Sequence, residues 1–266
     1  MLYFPPFLGG TLLLPGKITN GLMPFFSFCM VSSSAYILND ILDRSNDCHH
    51  PEKRNRPLAA GTVSVFSAWA LAALCLLTGI ISAYTWSSPH FTSLLLVYLI
   101  VTLSYSLRLR EFALLDIFCI SAGFLLRLEA GGAAFEIKIS EWLFLTVFLL
   151  ALFLSTGKRL SEKRILGNSA TNHRKALDAY PEGFLEGAMY MAGASVLVTY
   201  SMYVLNKGAP FLVYTVPLCS FGLLRYILRI KSGKWGDPTD SLLKDIPLLC
   251  AGLLWAAMIG WGVYAS

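Results

Sequence analysis

Between Asn39 and Gly61 the chain reads NDILDRSNDCHHPEKRNRPLAAG, and this stretch carries the residues best suited to chemistry. Asp40, Asp43 and Asp47 are spaced by three and four residues, so on a helix they share one face. Like charges on one face repel, and a cation between them removes the repulsion. Carboxylate oxygens at an aqueous edge suit Mg²⁺, a hard ion that keeps few protein ligands and completes its shell with water and substrate phosphates. The chemistry implied is a metal that bridges these acids to a diphosphate and neutralises charge on a leaving group. Asn39 stands beside the acids, and the set begins immediately after an apolar run. A solvated helix end, the plain alternative, needs neither feature.

Bases follow the acids. Pro51 and Pro57 hold the segment His50–Pro57 out of helix, and extended geometry would let Lys53, Arg54 and Arg56 point different ways around an anion. Arginine grips phosphate bidentately, although bases here also serve as simple topology anchors. His49 and His50 lack companions for a metal site and read as structural. Tyr105, Arg108 and Arg110 close a later apolar run, and Gly157-Lys158-Arg159-Leu160-Ser161-Glu162, with Arg174, Lys175 and Tyr180 beyond it, reads as a strongly basic loop. Lys158 and Glu162, four apart, are by themselves only a helix pair. Asp116 and Arg127 are eleven residues apart, close to three helical turns, and so fall on one face of one span. A charge inside a bilayer costs about 2.5–3.5 kcal/mol on insertion scales, so each needs a partner on another helix or a cavity to face. For Arg127 the functional alternative to a structural ion pair is a place in the substrate cavity. Gly236–Asp240, with Lys244 and Asp245, reads as a turn and a helix start.

The elements that must position these groups are membrane spans. The chain of 266 residues is 56% hydrophobic and 14% charged, with a mean hydropathy of +0.61, where a soluble domain carries about 25% charged residues. Apolar runs at Leu22–Leu38, Val63–Tyr84, Phe91–Leu107, Phe112–Ala134, Trp142–Leu154, Phe184–Leu205, Phe211–Ile230 and Ile246–Tyr264 approach the roughly 20 residues a spanning helix needs. Trp142–Leu154 is short, but extends through its flanks to Ser140 and Gly157. Alternating the loops puts 17 of the 21 Lys and Arg residues on one side, Lys17, Lys138 and Lys207 on the other, and Arg127 within a span. By the positive-inside rule the basic side is cytoplasmic. The net charge of +5 is thus a one-sided basic face suited to anionic headgroups or phosphorylated substrates, and not a nucleic-acid footprint. The cysteines show no CxxC or Cys/His ligand spacing, which argues against disulfides and zinc. The expectation is all-α: one membrane domain over 1–266, a polytopic helix bundle of about eight complete spans plus a partial N-terminal helix at Met1–Leu14. Its central cavity would open to the cytoplasm, where the long polar segments gather.

On a span end in an all-helical membrane protein, the NDxxDxxxD pattern of Asn39–Asp47 resembles the UbiA superfamily of intramembrane prenyltransferases. The resemblance implies nine spans around a cavity, with two polar motifs over its cytoplasmic mouth. Met1–Leu14 would then be the last part of the first helix, whose polar start is absent here. The chain departs from the aromatic prenyltransferases at their second acidic motif, where it has Gly157-Lys158-Arg159…Glu162. That segment, with HPEKRNRP, YSLRLR at Tyr105–Arg110 and LRY…GDPTD…KD late in the chain, is similar to the decaprenyl-phosphate phosphoribosyltransferase branch. The resemblance runs over almost the whole chain.

This resemblance implies Mg²⁺-dependent transfer of 5-phosphoribose from phosphoribosyl diphosphate to a polyprenyl phosphate, with release of diphosphate, for cell-envelope glycan synthesis at a prokaryotic inner membrane. Asp40, Asp43 and Asp47, with Asn39, would hold Mg²⁺ on the diphosphate, flanked by Lys53, Arg54 and Arg56. Lys158 and Arg159, with Arg174, would bind the ribose phosphate or the lipid phosphate, and Tyr105, Arg110, Arg127 and Glu162 complete the expected substrate site. The alternatives are a prenyltransferase moving an isoprenoid onto a small acceptor, and a transporter or lipid-binding scaffold. The last predicts paired broken helices at mid-membrane, whereas the polar groups here gather at one face.

Overall fold

In the computed structural model, residues 1–48, 53–166, 175–234 and 236–265 are described. The architecture is all-helical, with no strand among the described residues. The α-helices are α1 (Phe4–Leu8), α2 (Lys17–Asn20), α3 (Leu22–Asp47), α4 (Val65–Trp86), α5 (Pro89–Leu107), α6 (Leu115–Phe135), α7 (Glu141–Leu166), α8 (Phe184–Asn206), α9 (Val216–Lys231), α10 (Pro238–Lys244) and α11 (Ile246–Tyr264). Eight stretches are long and apolar enough to cross a membrane: α3 to α8, α9 with the 3₁₀ turn Pro210–Thr215 before it, and α11. These are the eight spans expected from hydropathy.

Local chemistry sets the helix starts. Ser64 Oγ accepts the Ser67 N–H at 3.0 Å to cap α4, and Ser88 Oγ accepts the Phe91 N–H at 3.2 Å to cap α5, ahead of Pro89 in its first turn. Asp245 caps α11 through the Leu248 N–H and also takes Arg225 and Arg229 of α9, which hold its carboxyl well below the usual range.

Neighbouring helices pack in sequence, α3 on α4 and α5, α5 on α6, α6 on α7, α7 on α8, and α9 on α11, while the short α1 touches both α6 and α11. The α3–α4 contact matters most, because α3 carries the acidic motif. Helix α4 buries a stripe of small residues, Ala68, Ala72, Cys75, Gly79 and Ala83, and leaves Phe66, Trp69, Leu74, Leu77 and Ile81 exposed on its outer face, as a lipid-facing helix does. A Cβ on Gly79 would lie 2.8 Å from Val31 Cγ2 and 3.0 Å from the Ser27 carbonyl oxygen, so the two backbones meet there at closest range. Ser27 and Ser82 hydroxyls add a 2.6 Å hydrogen bond across the same seam.

Three expectations shift. Helix α7 does not end near Gly157 but runs to Leu166, so Lys158, Arg159 and Glu162 stand on a helix rather than in a loop. Their charges do not stop the helix because they are neutralised by partners described below. Lys53–Asn55 forms a 3₁₀ turn in place of extended chain. The N-terminal helix spans only Phe4–Leu8 before Gly9 and Gly10 turn the chain.

Gly79→Val should force α3 and α4 apart and cost about 1–3 kcal/mol by overpacking. The check is the thermal unfolding midpoint of the detergent-solubilised protein, expected to fall, with Thr78→Val on the same helix as the control expected to change it little.

Candidate active site at the basic face

Helix α3 continues unbroken through the acidic motif, which puts Asn39, Asp40, Asp43 and Asp47 along its last turns on one side. Two arginines from elsewhere in the chain close on that side. Arg56 Nη1 donates to Asp40 Oδ1 at 2.8 Å and to Asp47 Oδ2 at 2.9 Å, so a single cationic nitrogen sits between two carboxylates. Arg110, on the 3₁₀ turn Leu109–Glu111, donates through Nη1 to Asp43 Oδ2 at 2.8 Å and to Asn39 Oδ1 at 3.3 Å. Asn39 Nδ2 in turn donates to Asp43 Oδ2 at 3.1 Å, which explains the Asn beside the acids. Burial alone would lower the Arg110 pKa, but the hydrogen bond and charge of Asp43 outweigh it and raise it. Asp47 is buried, while Asp40 and Arg56 are each more than a third exposed, so this part of the face opens outward.

Among the described residues no set of three Asp, Glu, His or Cys side chains converges into a ready metal cage. The acids instead lie in a row, each holding a guanidinium. That arrangement still fits a hard divalent ion. The donors are carboxylate oxygens plus an amide oxygen, and Arg56 shows that the space between Asp40 and Asp47 takes a cation.

A second polar cluster lies beside the first and is linked to it by the segment from Tyr105 to Arg110. At its centre is Arg159 of α7, 2% exposed. Its Nε donates to Asp116 Oδ2 at 2.7 Å, its Nη1 to Glu162 Oε2 at 2.8 Å and its Nη2 to the Tyr105 hydroxyl at 3.2 Å. The Tyr180 hydroxyl donates to the other Asp116 oxygen at 2.6 Å and accepts the Leu114 N–H at 2.7 Å. Leu114 has φ 66° and ψ −47°, and the Leu115 N–H donates to the Ala113 oxygen at 2.8 Å. This is a γ-turn of the rare, strained hand, at a leucine that gains nothing from left-handed backbone. It turns the chain into α6 so that Asp116 enters the protein interior beneath Tyr180.

Arg159, expected to bind a phosphate, is therefore committed to Asp116, Glu162 and Tyr105, and works as a strut joining α5, α6 and α7. Asp116 does not pair with Arg127 on its own helix, because its carboxylate is turned toward α7. Lys158 is more open: its Nζ donates to Asp237 Oδ2 at 2.8 Å. Asp237 caps α10 through the Thr239 and Asp240 N–H groups, and Gly236 is pinned to α7 by Ser161 Oγ at 2.8 Å. The GDPTD turn thus docks on the Lys158 turn, a contact its sequence signalled only weakly. Arg54 is exposed. Arg174, His49, His50 and the Lys53 side chain lie outside the described residues.

Tyr36 and Tyr98 were not singled out from sequence, yet their hydroxyls are the hydrogen-bond partners of Arg127, at 3.4 and 2.7 Å. Helical spacing signals Tyr36, which stands four residues before Asp40. No sequence pattern marks Tyr98, on a different helix. Deeper in the bundle a cavity of about 250 Å³ is lined almost wholly by apolar groups, among them Leu143, Val147, Val196, Leu248 and Trp255.

Eight apolar spans with an acidic row, arginines and a docked basic turn at one end describe an integral membrane protein with its charged groups gathered at one face. The chain belongs to the UbiA prenyltransferase family, whose sequence signature matches residues 3–244, and it is a transferase. Among its relatives is the decaprenyl-phosphate phosphoribosyltransferase of Mycolicibacterium smegmatis, 32% identical over 254 residues, covering 91% of this chain and 80% of that protein. The protein of the same name from Corynebacterium glutamicum is 31% identical, over 90% of this chain and 74% of its own length. The fold is that of a UbiA homologue from Archaeoglobus fulgidus bound to GPP and Mg²⁺, with a TM-score of 0.77 at 19% identity, over 100% of this chain and 94% of that one.

Replacing Asp116 with Asn should strand Arg159 in the interior and destabilise the protein by about 3–5 kcal/mol. Asp116→Asn is expected to unfold well below wild type in a thermal melt, with Tyr180→Phe, which keeps the ion pair, falling in between.

Proposed function

We propose that this protein transfers 5-phosphoribose from phosphoribosyl diphosphate to a polyprenyl phosphate at the cytoplasmic face of a bacterial inner membrane. The observation that carries the reading is the contact of the Asn39–Asp47 row with Arg56 and Arg110, which brings oxygen donors for a divalent cation within 3 Å of guanidinium groups suited to phosphate. The names of the curated relatives supply the substrate class, and a Mg²⁺-bound structure of the same fold supports the choice of ion.

Asp40, Asp43 and Asp47, with Asn39, would hold Mg²⁺, which when bound neutralises the departing diphosphate. Arg56 would exchange a carboxylate for a diphosphate oxygen, and Lys53 and Arg54 would join it. Lys158 and Arg174 would take the donor's 5-phosphate. Arg159 would act through Glu162 and Tyr105, which it holds in place at the mouth. An oxygen of the lipid phosphate bonds to the anomeric carbon as the bond from that carbon to the diphosphate oxygen breaks, and the electron pair leaves on the diphosphate. No general base is required, because the acceptor oxygen is already deprotonated. The polyprenyl chain would run into the apolar interior, where the 250 Å³ cavity between α7, α8 and α11 offers hydrocarbon lining.

Labelled phosphoribosyl diphosphate, incubated with Mg²⁺, polyprenyl phosphate and the purified protein, should yield labelled lipid. Asp43→Asn, which keeps a hydrogen-bond acceptor for Arg110, should lower that yield by about 100-fold or more while the protein still folds. Label transferred only from a prenyl diphosphate, or full turnover by Asp43→Asn, would contradict the reading.

A further inference from the structure

Arg127 stands twelve residues into α6, or about 18 Å along the helix, near the middle of a hydrocarbon layer about 30 Å thick. A guanidinium at that depth needs a partner on another helix or a polar cavity to face. Arg56, Arg110, Arg159, Arg225 and Arg229 each hold a carboxylate. Arg127 forms no ion pair among the described residues; its partners are the Tyr98 and Tyr36 hydroxyls and the faces of Tyr98 and Phe124, 5.0 and 5.5 Å from its central carbon. Both hydrogen bonds leave from Nη2, and Nε and Nη1 donate to nothing among the described residues. The support is rigid: Tyr98 is 2% exposed, its hydroxyl accepts from Ser32 Oγ at 3.3 Å, and its ring packs on Phe28. Tyr36 is 60% exposed. The cation is held in place by hydroxyls and ring faces, with no carboxylate paired to it among the described residues.

We infer that Arg127, with the Tyr36 hydroxyl, receives the phosphate monoester of the membrane-borne acceptor; this rests on the phosphoribosyl-transfer reading and assigns the acceptor subsite within it. Depth is the argument. Tyr36 lies one helical turn before Asp40 on α3, about 6 Å along the axis, and Arg127 meets its hydroxyl on the membrane side of the acid row. A sugar ring fills that interval. The donor's diphosphate lies over the acids, the anomeric carbon beneath it, and the acceptor oxygen arrives from below, in line with the bond that breaks. The donor is soluble and enters at the basic face, where Arg54, Arg56 and Lys158 await its phosphates. An anion that reaches Arg127 from the hydrocarbon side has to be tethered to a lipid. Arg127 neutralises the acceptor's non-attacking oxygens, so that its charge can approach the donor's. The site should therefore distinguish a lipid phosphate from the corresponding lipid alcohol.

The test is displacement of labelled polyprenyl phosphate from the full chain in nanodiscs, without donor, by unlabelled polyprenyl phosphate, by polyprenol and by inorganic phosphate. Wild type should prefer the lipid phosphate to the alcohol by roughly tenfold or more, and Arg127→Gln should lose most of that preference while Arg127→Lys keeps part of it. Inorganic phosphate should not displace the lipid. An Arg127→Gln protein that melts like wild type and keeps the preference overturns the inference, as does displacement by inorganic phosphate. If Arg127→Gln does not fold, Tyr98→Phe, which removes one supporting hydrogen bond and no charge, should weaken the preference about 2–5-fold, and an unchanged preference overturns the inference. Absence of phosphoribosyl transfer by wild type would instead sink the functional reading, and leaves the binding preference readable.

Discussion

Charge carried to the edge of a bilayer has to be compensated where it stands, and this constraint organises the basic face of the protein. The acidic row on α3 would repel itself if left alone. Arg56 and Arg110 neutralise it from two separate loops, and in doing so fix the chain between α3 and α4 and the turn between α5 and α6. The small-residue seam packs the earlier turns of α3, which carries the row, closely against α4. The site is a consequence of helix packing and charge pairing together, and neither would hold it alone.

The arginines divide by exposure. Arg159 is sealed, with three oxygen partners on three elements, and removing any of them leaves a buried cation without full compensation. It acts as a fixed strut. Arg56 is more than a third exposed and bridges two acids in a row. The Arg56–Asp40 pair is exposed on both sides, and such pairs contribute little, about 0–1 kcal/mol, whereas Asp47 is buried and keeps a cation beside it. The same residue type is therefore a sealed scaffold at one point and a water-accessible bridge at another. The strained turn at Leu114 belongs to the scaffold, because it aims Asp116 at Arg159.

Much of this was legible in the sequence. Three- and four-residue spacing placed the acids on one helix face, and the hydropathy runs with the one-sided bases located the eight spans. What the sequence could not show was which base meets which acid. Arg56 lies 16 residues beyond Asp40, and Arg110 lies 67 beyond Asp43, so only packing pairs them. The charges at Lys158, Arg159 and Glu162 imitated a loop because their neutralising partners, Asp116 and Asp237, are 43 and 79 residues away in the chain. Arg127 and Asp116 share a helix face in sequence, yet answer to different helices.

The central claim is that the Asn39–Asp47 row is a cation site held by arginines until a diphosphate arrives. Electron paramagnetic resonance of Mn²⁺, used in place of Mg²⁺, measures this directly by counting free ion as protein is added with and without phosphoribosyl diphosphate. The account predicts weak Mn²⁺ binding to the protein alone, tighter binding when protein and donor are both present than to donor alone, and loss of that gain in Asp43→Asn. Equal Mn²⁺ binding with and without protein at saturating donor, or an unchanged gain in Asp43→Asn, would contradict it.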